Sequence, residues 1–399
     1  MNLRFPVRSR RVVLSAATAA FCGFAWMYGY WGPILSLALI PLVLIQNRRW
    51  SRYLVALAYY LAGSSGIPQA SAVFFGPGHA GGSGHWLEGI FLWLASSALL
   101  AVGWAFADRP WKAATVLLFD ALIPPLAFFD WMSPLSAAGV LFPGTAILGV
   151  ILLLAFIAGV PWLARWNHGN PIAYFLAVAV FCNVFAPVFL SHPKNSEHWR
   201  GLDTHLGPST HSIVQNYTRM ADWVAATDQH PYPKVILLPE TLLTWWQGNA
   251  DYVQQHVLPG QTWLVGASIP LKRGVFADGI EAVTDHGSKM IFASVLPVPV
   301  SMWHPWQKPS GDAYGQNAYR AFWWQKPVEI DGKSTWAEIC YDQLLPFSWM
   351  EASLYTPRIV LLTNNVWWAR RTGIPTIQRA SAWAWSRLIG STDIEAENQ

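Results

Sequence analysis

Two side chains in this 399-residue chain have the types and settings that covalent chemistry requires. Glu240 ends the run Leu237-Leu238-Pro239-Glu240, a carboxylate presented directly after an apolar stretch. Cys340 lies in Glu338-Ile339-Cys340-Tyr341-Asp342-Gln343, after a short strand expected to start near Trp336. A thiol with a pKa of about 8.5 is only a few per cent thiolate at neutral pH, so a nucleophilic Cys needs a base or a positive neighbour. A strand-end Glu can be that base. On spacing alone, a small buried hydrophobe remains the simpler account of Cys340.

The elements around these residues alternate between strand and helix. Lys234–Pro239 is an apolar run too short for a helix and fits a buried strand, as do Trp263–Ile269 and Arg358–Thr363. Gly279–Thr284 and Lys289–Leu296, joined by Asp285–Ser288, read as a hairpin. Ser212–Thr227 and Thr376–Leu388 read as helices, so the order predicts a layered α/β domain over residues 192–399.

Composition separates that domain from what precedes it. Charged residues make up 12% of the chain, about half the share usual in a soluble protein, and 25 residues are Trp. Residues 1–191 hold 10 of the 26 Lys/Arg and 4 of the 22 Asp/Glu, leaving 16 and 18 for residues 192–399. The first part therefore reads as a membrane domain and the second as water-facing. The net charge of +4 is +6 in the first part and −2 in the second, which gives no ground for direct nucleic-acid binding.

Seven apolar segments can be marked, at 12–30, 33–46, 53–74, 86–106, 113–129, 137–160 and 172–191. The Lys/Arg residues of this half fall at the N-terminus, at Arg48, Arg49 and Arg52, at Arg109 and Lys112, and at Arg165. The connections between them, Gly29–Pro33, Gly76–His85 and Asp130–Ser136, carry none. That alternation predicts seven transmembrane helices, a cytoplasmic N-terminus and an outward-facing C-terminal domain. Asp120 falls inside the fifth segment, where a carboxylate costs about 2.5–3.5 kcal/mol, so it should face a partner or a watery cleft. A structural hydrogen bond to Asn183 is the expected one. A transport role for Asp120 would call for internal repetition, which the sequence lacks. Cys22 and Cys182 read as small buried hydrophobes, and the histidines show no metal-ligand spacing.

The Glu240 and Cys340 segments resemble the nitrilase (carbon–nitrogen hydrolase) superfamily, and so does Thr363-Asn364-Asn365-Val366-Trp367-Trp368. Several spans ahead of such a domain resemble its apolipoprotein N-acyltransferase branch. Val298-Pro299-Val300-Ser301-Met302-Trp303 is closer to the membrane-bound nitrilase-like conjugal transfer proteins of bacterial plasmids. The resemblance implies an αββα-type sandwich in the periplasm of a bacterial inner-membrane protein. It implies Glu240 as general base, Cys340 as thioester-forming nucleophile, the backbone N–H after Cys340 as oxyanion donor, and no cofactor or metal. Implied partners are the bilayer, a phospholipid or lipid-linked acyl substrate, and conjugation proteins. Trp245-Trp246, Trp303, Trp306, Trp323-Trp324 and Trp367-Trp368 would anchor the domain or line an acyl channel, with core packing as the plainer account.

Two positions depart from the superfamily pattern. Alignment on Leu296-Pro297 puts Phe292 where the third catalytic residue, a Lys, is expected. Lys289 is three residues away, an odd offset that points to the opposite face of a strand unless a bulge intervenes. The additional N-acyltransferase Glu falls on Val300. After the last helix only polar, acidic Ser391–Gln399 follows, which reads as a shortened C-terminus. These departures leave a non-catalytic interaction module of the conjugation machinery as the alternative to an enzyme.

Overall fold

The computed structural model describes residues 7–74, 85–166, 170–189, 197–208, 213–230, 232–243, 246, 248–272, 274–299, 301–306 and 318–399. The chain divides into two compact units. One is helical and comprises Met1–Leu190, Leu344–Met350 and Trp368–Gly390; the other, of mixed α/β structure, comprises Ser191–Gln343, Glu351–Trp367 and Ser391–Gln399.

The helical unit begins with α1 (Val7–Phe24), α2 (Gly32–Ser36), α3 (Leu39–Leu44), α4 (Arg49–Gly63) and α5 (Ile67–Phe74). It continues through α6 (His85–Trp104), α7 (Pro110–Leu122), α8 (Ala137–Leu141), α9 (Ile147–Trp166) and α10 (Pro171–Phe189). Two stretches, Arg10–Tyr28 and Trp86–Trp104, are long and apolar enough to cross a membrane. Gly32–Leu44, Ile147–Val160 and Pro171–Ala186 are shorter apolar helices. Several expected continuous segments are broken. The second divides into α2 and α3, the third divides at Ser64–Gly66, and the fifth stops at Leu122, ahead of Pro124-Pro125. Pro cannot continue the helical hydrogen-bond ladder, which accounts for the stop.

Polar groups inside this unit are linked by long-range bonds. Trp26 Nε1 donates to Tyr59 Oη (2.9 Å), Tyr59 Oη donates to the Met132 carbonyl (2.8 Å), and Trp104 Nε1 donates to Tyr60 Oη (3.1 Å). Asn183 does not serve Asp120. Its amide donates to the carbonyls of Val140, Leu141 and Ala179, and its oxygen accepts from Arg387 at 2.7 Å. Asn183 thus ties helix ends together, and the buried Asp120 retains one carboxylate oxygen without a partner. Cys22 is buried as expected, whereas Cys182 is half-buried.

In the α/β unit one sheet runs in the order β1 (Trp199–Gly201), β2 (Val235–Leu237), β3 (Thr262–Lys272), β4 (Val275–Thr284), β5 (Gly287–Ala293). A short β6 (Ala318–Tyr319) pairs with β4. The second sheet is ordered β10 (Thr392–Asn398), β9 (Ile359–Asn365), β8 (Lys333–Ile339), β7 (Val328–Ile330). Val235, Leu237, Leu264, Ile280 and Phe292 of the first sheet pack with Ala337, Ile339, Ile359, Leu361, Ile394 and Ala396 of the second, forming one core between the sheets. The opposite face of the first sheet is covered by α11 (Ile213–Asp228), through Met220, Trp223 and Val224, and by Val253 of α12 (Ala250–Gln254). Beyond the second sheet, Trp336 stacks on Tyr355 at the end of α13 (Pro346–Tyr355), with ring centroids 5.9 Å apart.

The expected strands and hairpin are present, with edges moved by a few residues. The polar tail is a correction: Thr392–Asn398 is β10, paired in parallel along the whole of β9. Ile394 and Ala396 alternate into the core, while the charged residues between them conceal the strand from a reading by hydropathy. The last helix, α14 (Ile374–Ile389), joins the helical unit. Gly144 N and Ala146 N donate to the carbonyls of Arg387 and Leu388 at 2.9 and 2.8 Å. Gly139 of α8 approaches so closely that a Cβ there would lie 1.7 Å from the Ala384 carbonyl oxygen.

Candidate active site

Alternation along β8 directs Ala337 and Ile339 into the core between the sheets and Trp336 and Glu338 to the other face. Cys340 would follow Glu338, but its backbone turns into the left-handed region at φ 48°. A non-glycine residue pays about 1–2 kcal/mol for that conformation. Here it redirects the thiol, so Cys340 joins the inter-sheet core at the C-terminal end of the strand. Gln343 secures the turn that follows, donating to the Glu338 carbonyl (3.0 Å) and Asn364 Oδ1 (2.8 Å).

Glu240 reaches the same place from the first sheet. After β2 the chain continues along β3: Leu238 N donates to Leu264 O, Leu242 N to Gly266 O, and Ser268 N to Leu243 O. Gly266 permits this path, because a Cβ on it would lie 2.2 Å from the Pro239 carbonyl oxygen and 2.7 Å from Glu240 Cα. Thr241, the next residue, is also left-handed at φ 48°. Across the core, Thr363 Oγ1 of β9 donates to the Leu238 carbonyl at 3.1 Å, tying the two strand ends together. The structure thus brings Glu240 and Cys340 together, with the thiol donating to the carboxylate. The two are 4% and 7% exposed.

Two acids that sequence reasoning missed complete the site. Asp278 of β4 is 2% exposed and lies two residues before Ile280, on the core face. It accepts from Thr241 Oγ1 at 3.3 Å and hydrogen-bonds Glu240. Asp342 is fully buried and accepts from Ser294 Oγ (3.1 Å), Val295 N (2.9 Å) and Leu296 N (2.9 Å), so it holds the turn after β5. The available signals were Asp342 two residues after the thiol and Asp278 within a largely apolar strand that also carries Glu281.

Electrostatics follow from this burial. Desolvation pushes Glu240 up to about 7, opposed by hydrogen bonds from Cys340, Asp278 and the Asn365 backbone. Burial, followed by the charge of Glu240, holds the Cys340 thiol well above its ordinary value. Burial and then Glu240 likewise raise Asp278, while burial pushes Asp342 up to about 7 despite its three donors. Glu240 Oε2 has no hydrogen-bond partner, which leaves a vacant acceptor for a proton. At neutral pH this is a protonated thiol beside a carboxylate near its own pKa, the arrangement general-base catalysis requires.

The position at which the resemblance expects a Lys holds an apolar residue. Phe292 is buried in the inter-sheet core opposite Ile280. A bulge between Ile280 and Glu281 does shift the register, pairing Lys289 with Ala282 and so turning it to the same face as Phe292. Ala282 is nevertheless four residues from Asp278, roughly 13 Å along the strand, and Lys289 is exposed. Val300 and Trp245 lie outside the described residues. Of the other tryptophans, Trp246 belongs to the core beneath α11. Trp306, Trp323 and Trp324 are exposed, and Trp303 makes edge contacts with Trp306 and Trp323.

No family model matches the chain. It is 28% identical over 368 residues to the probable conjugal transfer protein TraB of Sinorhizobium fredii, covering 88% of this chain and 90% of that protein. It is also 28% identical over 389 residues to the conjugal transfer protein TraB of Agrobacterium fabrum, covering 90% of this chain and 86% of the relative. Similarity of that extent runs through the helical and the α/β units alike.

Proposed function

We propose that this chain is a membrane-anchored plasmid-transfer protein whose α/β unit is nitrilase-like and acts on an acyl or amide carbonyl through Cys340. One observation carries the catalytic part: the strained, left-handed Cys340 is turned out of strand alternation and onto a buried carboxylate. In this reading Glu240 takes the thiol proton as sulfur attacks the carbonyl carbon, and the backbone N–H of Tyr341 receives the developing oxyanion. The leaving group departs with the proton held by Glu240, giving a thioester. Water then completes hydrolysis, or an amine completes an N-acyl transfer. The two sheets packed face to face, with α11 and α12 over the first, support the αββα sandwich that the resemblance implies.

An inner-membrane location with the α/β unit in the periplasm is supported by the distribution of charge within the helical unit. Arg52 donates to the carbonyls of Ala105 and Gln46, and Arg49 covers the Phe106 ring, so two basic connections meet at one end. α14 belongs to the chain beyond residue 191. It contacts Tyr30 and the Gly139–Ala146 region, next to the Gly29–Pro33 and Asp130–Ser136 connections that carry no Lys/Arg. The positive-inside rule places those connections outside, the side on which the C-terminal half emerges.

A second reading, a non-catalytic module that binds conjugation proteins, is favoured by Phe292 at the lysine position. Losing one preorganised oxyanion donor costs about 10²–10³ in rate. Complementing a strain that lacks this chain with wild type, Cys340→Ala or Glu240→Gln, and counting transconjugants, separates the two. The enzyme reading requires both variants to lose transfer while the proteins accumulate normally. Full transfer by Cys340→Ala would leave the interaction module. Intact mass of the wild type after exposure to native phospholipids should then show a fatty-acyl increment that hydroxylamine removes.

A further inference from the structure

We infer that Asp278 is a positioning residue: its carboxyl keeps a proton and donates it to Glu240, holding Glu240 as the carboxylate that faces the Cys340 thiol. This rests on the reading of Cys340 as nucleophile and Glu240 as base, and supplies by a neutral acid part of what a lysine would supply by charge. Asp278 sits on the inter-sheet face of β4, in alternation with Ile280. Thr241 Oγ1 donates to its Oδ1, orienting the carboxyl from the residue next to Glu240. Ser294 N donates to the Asp278 carbonyl at 2.7 Å, fixing the backbone beneath it.

Two carboxyls in contact and out of water cannot both ionise, so the pair shares one proton. The described titratable groups that act on the pair are Cys340, Asp342 and Tyr319, all of them acids; Tyr319 Oη lies 2.7 Å from Ser268 Oγ. Burial raises all of these acids, and the hydrogen bond between the two carboxyls raises Asp278 while lowering Glu240. That ordering puts the shared proton on Asp278.

The test is alkylation of Cys340 by iodoacetamide in the full-length detergent-solubilised protein, followed by peptide mass spectrometry, with Cys22 and Cys182 as internal references. Sulfur forms a bond to the methylene carbon, iodide leaves, and the thiol proton passes to Glu240. In wild type the Cys340 rate should rise with pH as Glu240 ionises, and Glu240→Gln should abolish that rise. Asp278→Ala should slow the reaction about tenfold at pH 7 and displace the inflection to higher pH, the effect of removing one hydrogen bond to a charged group. Asp278→Asn, an uncharged donor, should restore most of the lost rate. If Asp278→Ala does not fold, Thr241→Val against Thr241→Ser applies the same test, with Val slow and Ser near wild type. Equal rates for Asp278→Ala and Asp278→Asn, or for the Thr241 pair, overturn the role of Asp278 but leave the base intact. A Glu240→Gln profile identical to wild type, or a wild-type Cys340 no faster than Cys182 at any pH, overturns the underlying reading as well.

Discussion

Cys340, Glu240, Asp278 and Asp342 bring one thiol and three carboxyls into a space closed to water, and proton binding is the consequence that can be measured. Glu240 moves from an ordinary 4.5 to about 7, and Asp342 from 3.8 to about 7, each chiefly through burial. Raised folded-state values mean that the folded chain binds more protons than the unfolded chain between those limits. The resulting stability is fully present below about pH 4 and is lost as pH rises through about 7. The thermal midpoint of the detergent-solubilised protein should therefore fall between pH 5 and pH 8. Glu240→Gln should flatten that fall, and an unchanged slope in this variant would mean that Glu240 is not protonated in the folded state.

Strand ends do the positioning. β8 and β9 run parallel and deliver Cys340 and Asn365 to the same edge, while the chain leaving β2 is laid along β3 so that Glu240 meets them. Gly266 is the position on which this placement depends. Gly266→Ala would drive a methyl group into the Pro239–Glu240 backbone, and overpacking of this kind costs about 1–3 kcal/mol. The variant should melt lower, and its Cys340 alkylation should lose the pH dependence conferred by Glu240. Loss of stability with an intact alkylation profile would show that the Glu240 segment keeps its place without Gly266.

The polypeptide passes between its two units repeatedly, because Leu344–Met350 and Trp368–Gly390 belong to the helical unit while the strands on either side of them do not. A cut at residue 191 therefore does not yield two independent parts. Residues 1–191 alone lack α14, which supplies the carbonyl partners of Gly144 N and Ala146 N and the Arg387 bond to Asn183. Such a fragment should aggregate or be degraded when expressed in membranes, under conditions in which the full chain with Cys340→Ala should accumulate. Equal accumulation of the fragment would show that α14 is dispensable to the helical unit.

Hydropathy and charge patterns, which act locally, made much of the fold legible in the sequence. The polar and apolar halves, the strands around Val235–Leu237 and Ile359–Asn365, and the hairpin could all be read from runs of a few residues, whereas the pairing of Glu240 with Cys340 came from resemblance. The αββα sandwich came from resemblance alone, and what the structure shows of it is two sheets sharing one core. Asp278 in the site, β10 as a strand, Asn183 as a partner of Arg387, and α14 as part of the helical unit were not legible. Each depends on groups that are distant in sequence, such as Asp278 beside Glu240 or Asn183 beside Arg387. A residue's identity sets what it can donate, accept or bury. Which partner it meets is decided by long-range packing, and so tertiary structure alone determined that the thiol faces a carboxyl pair, while Phe292 where the resemblance expects a Lys was already visible in the sequence.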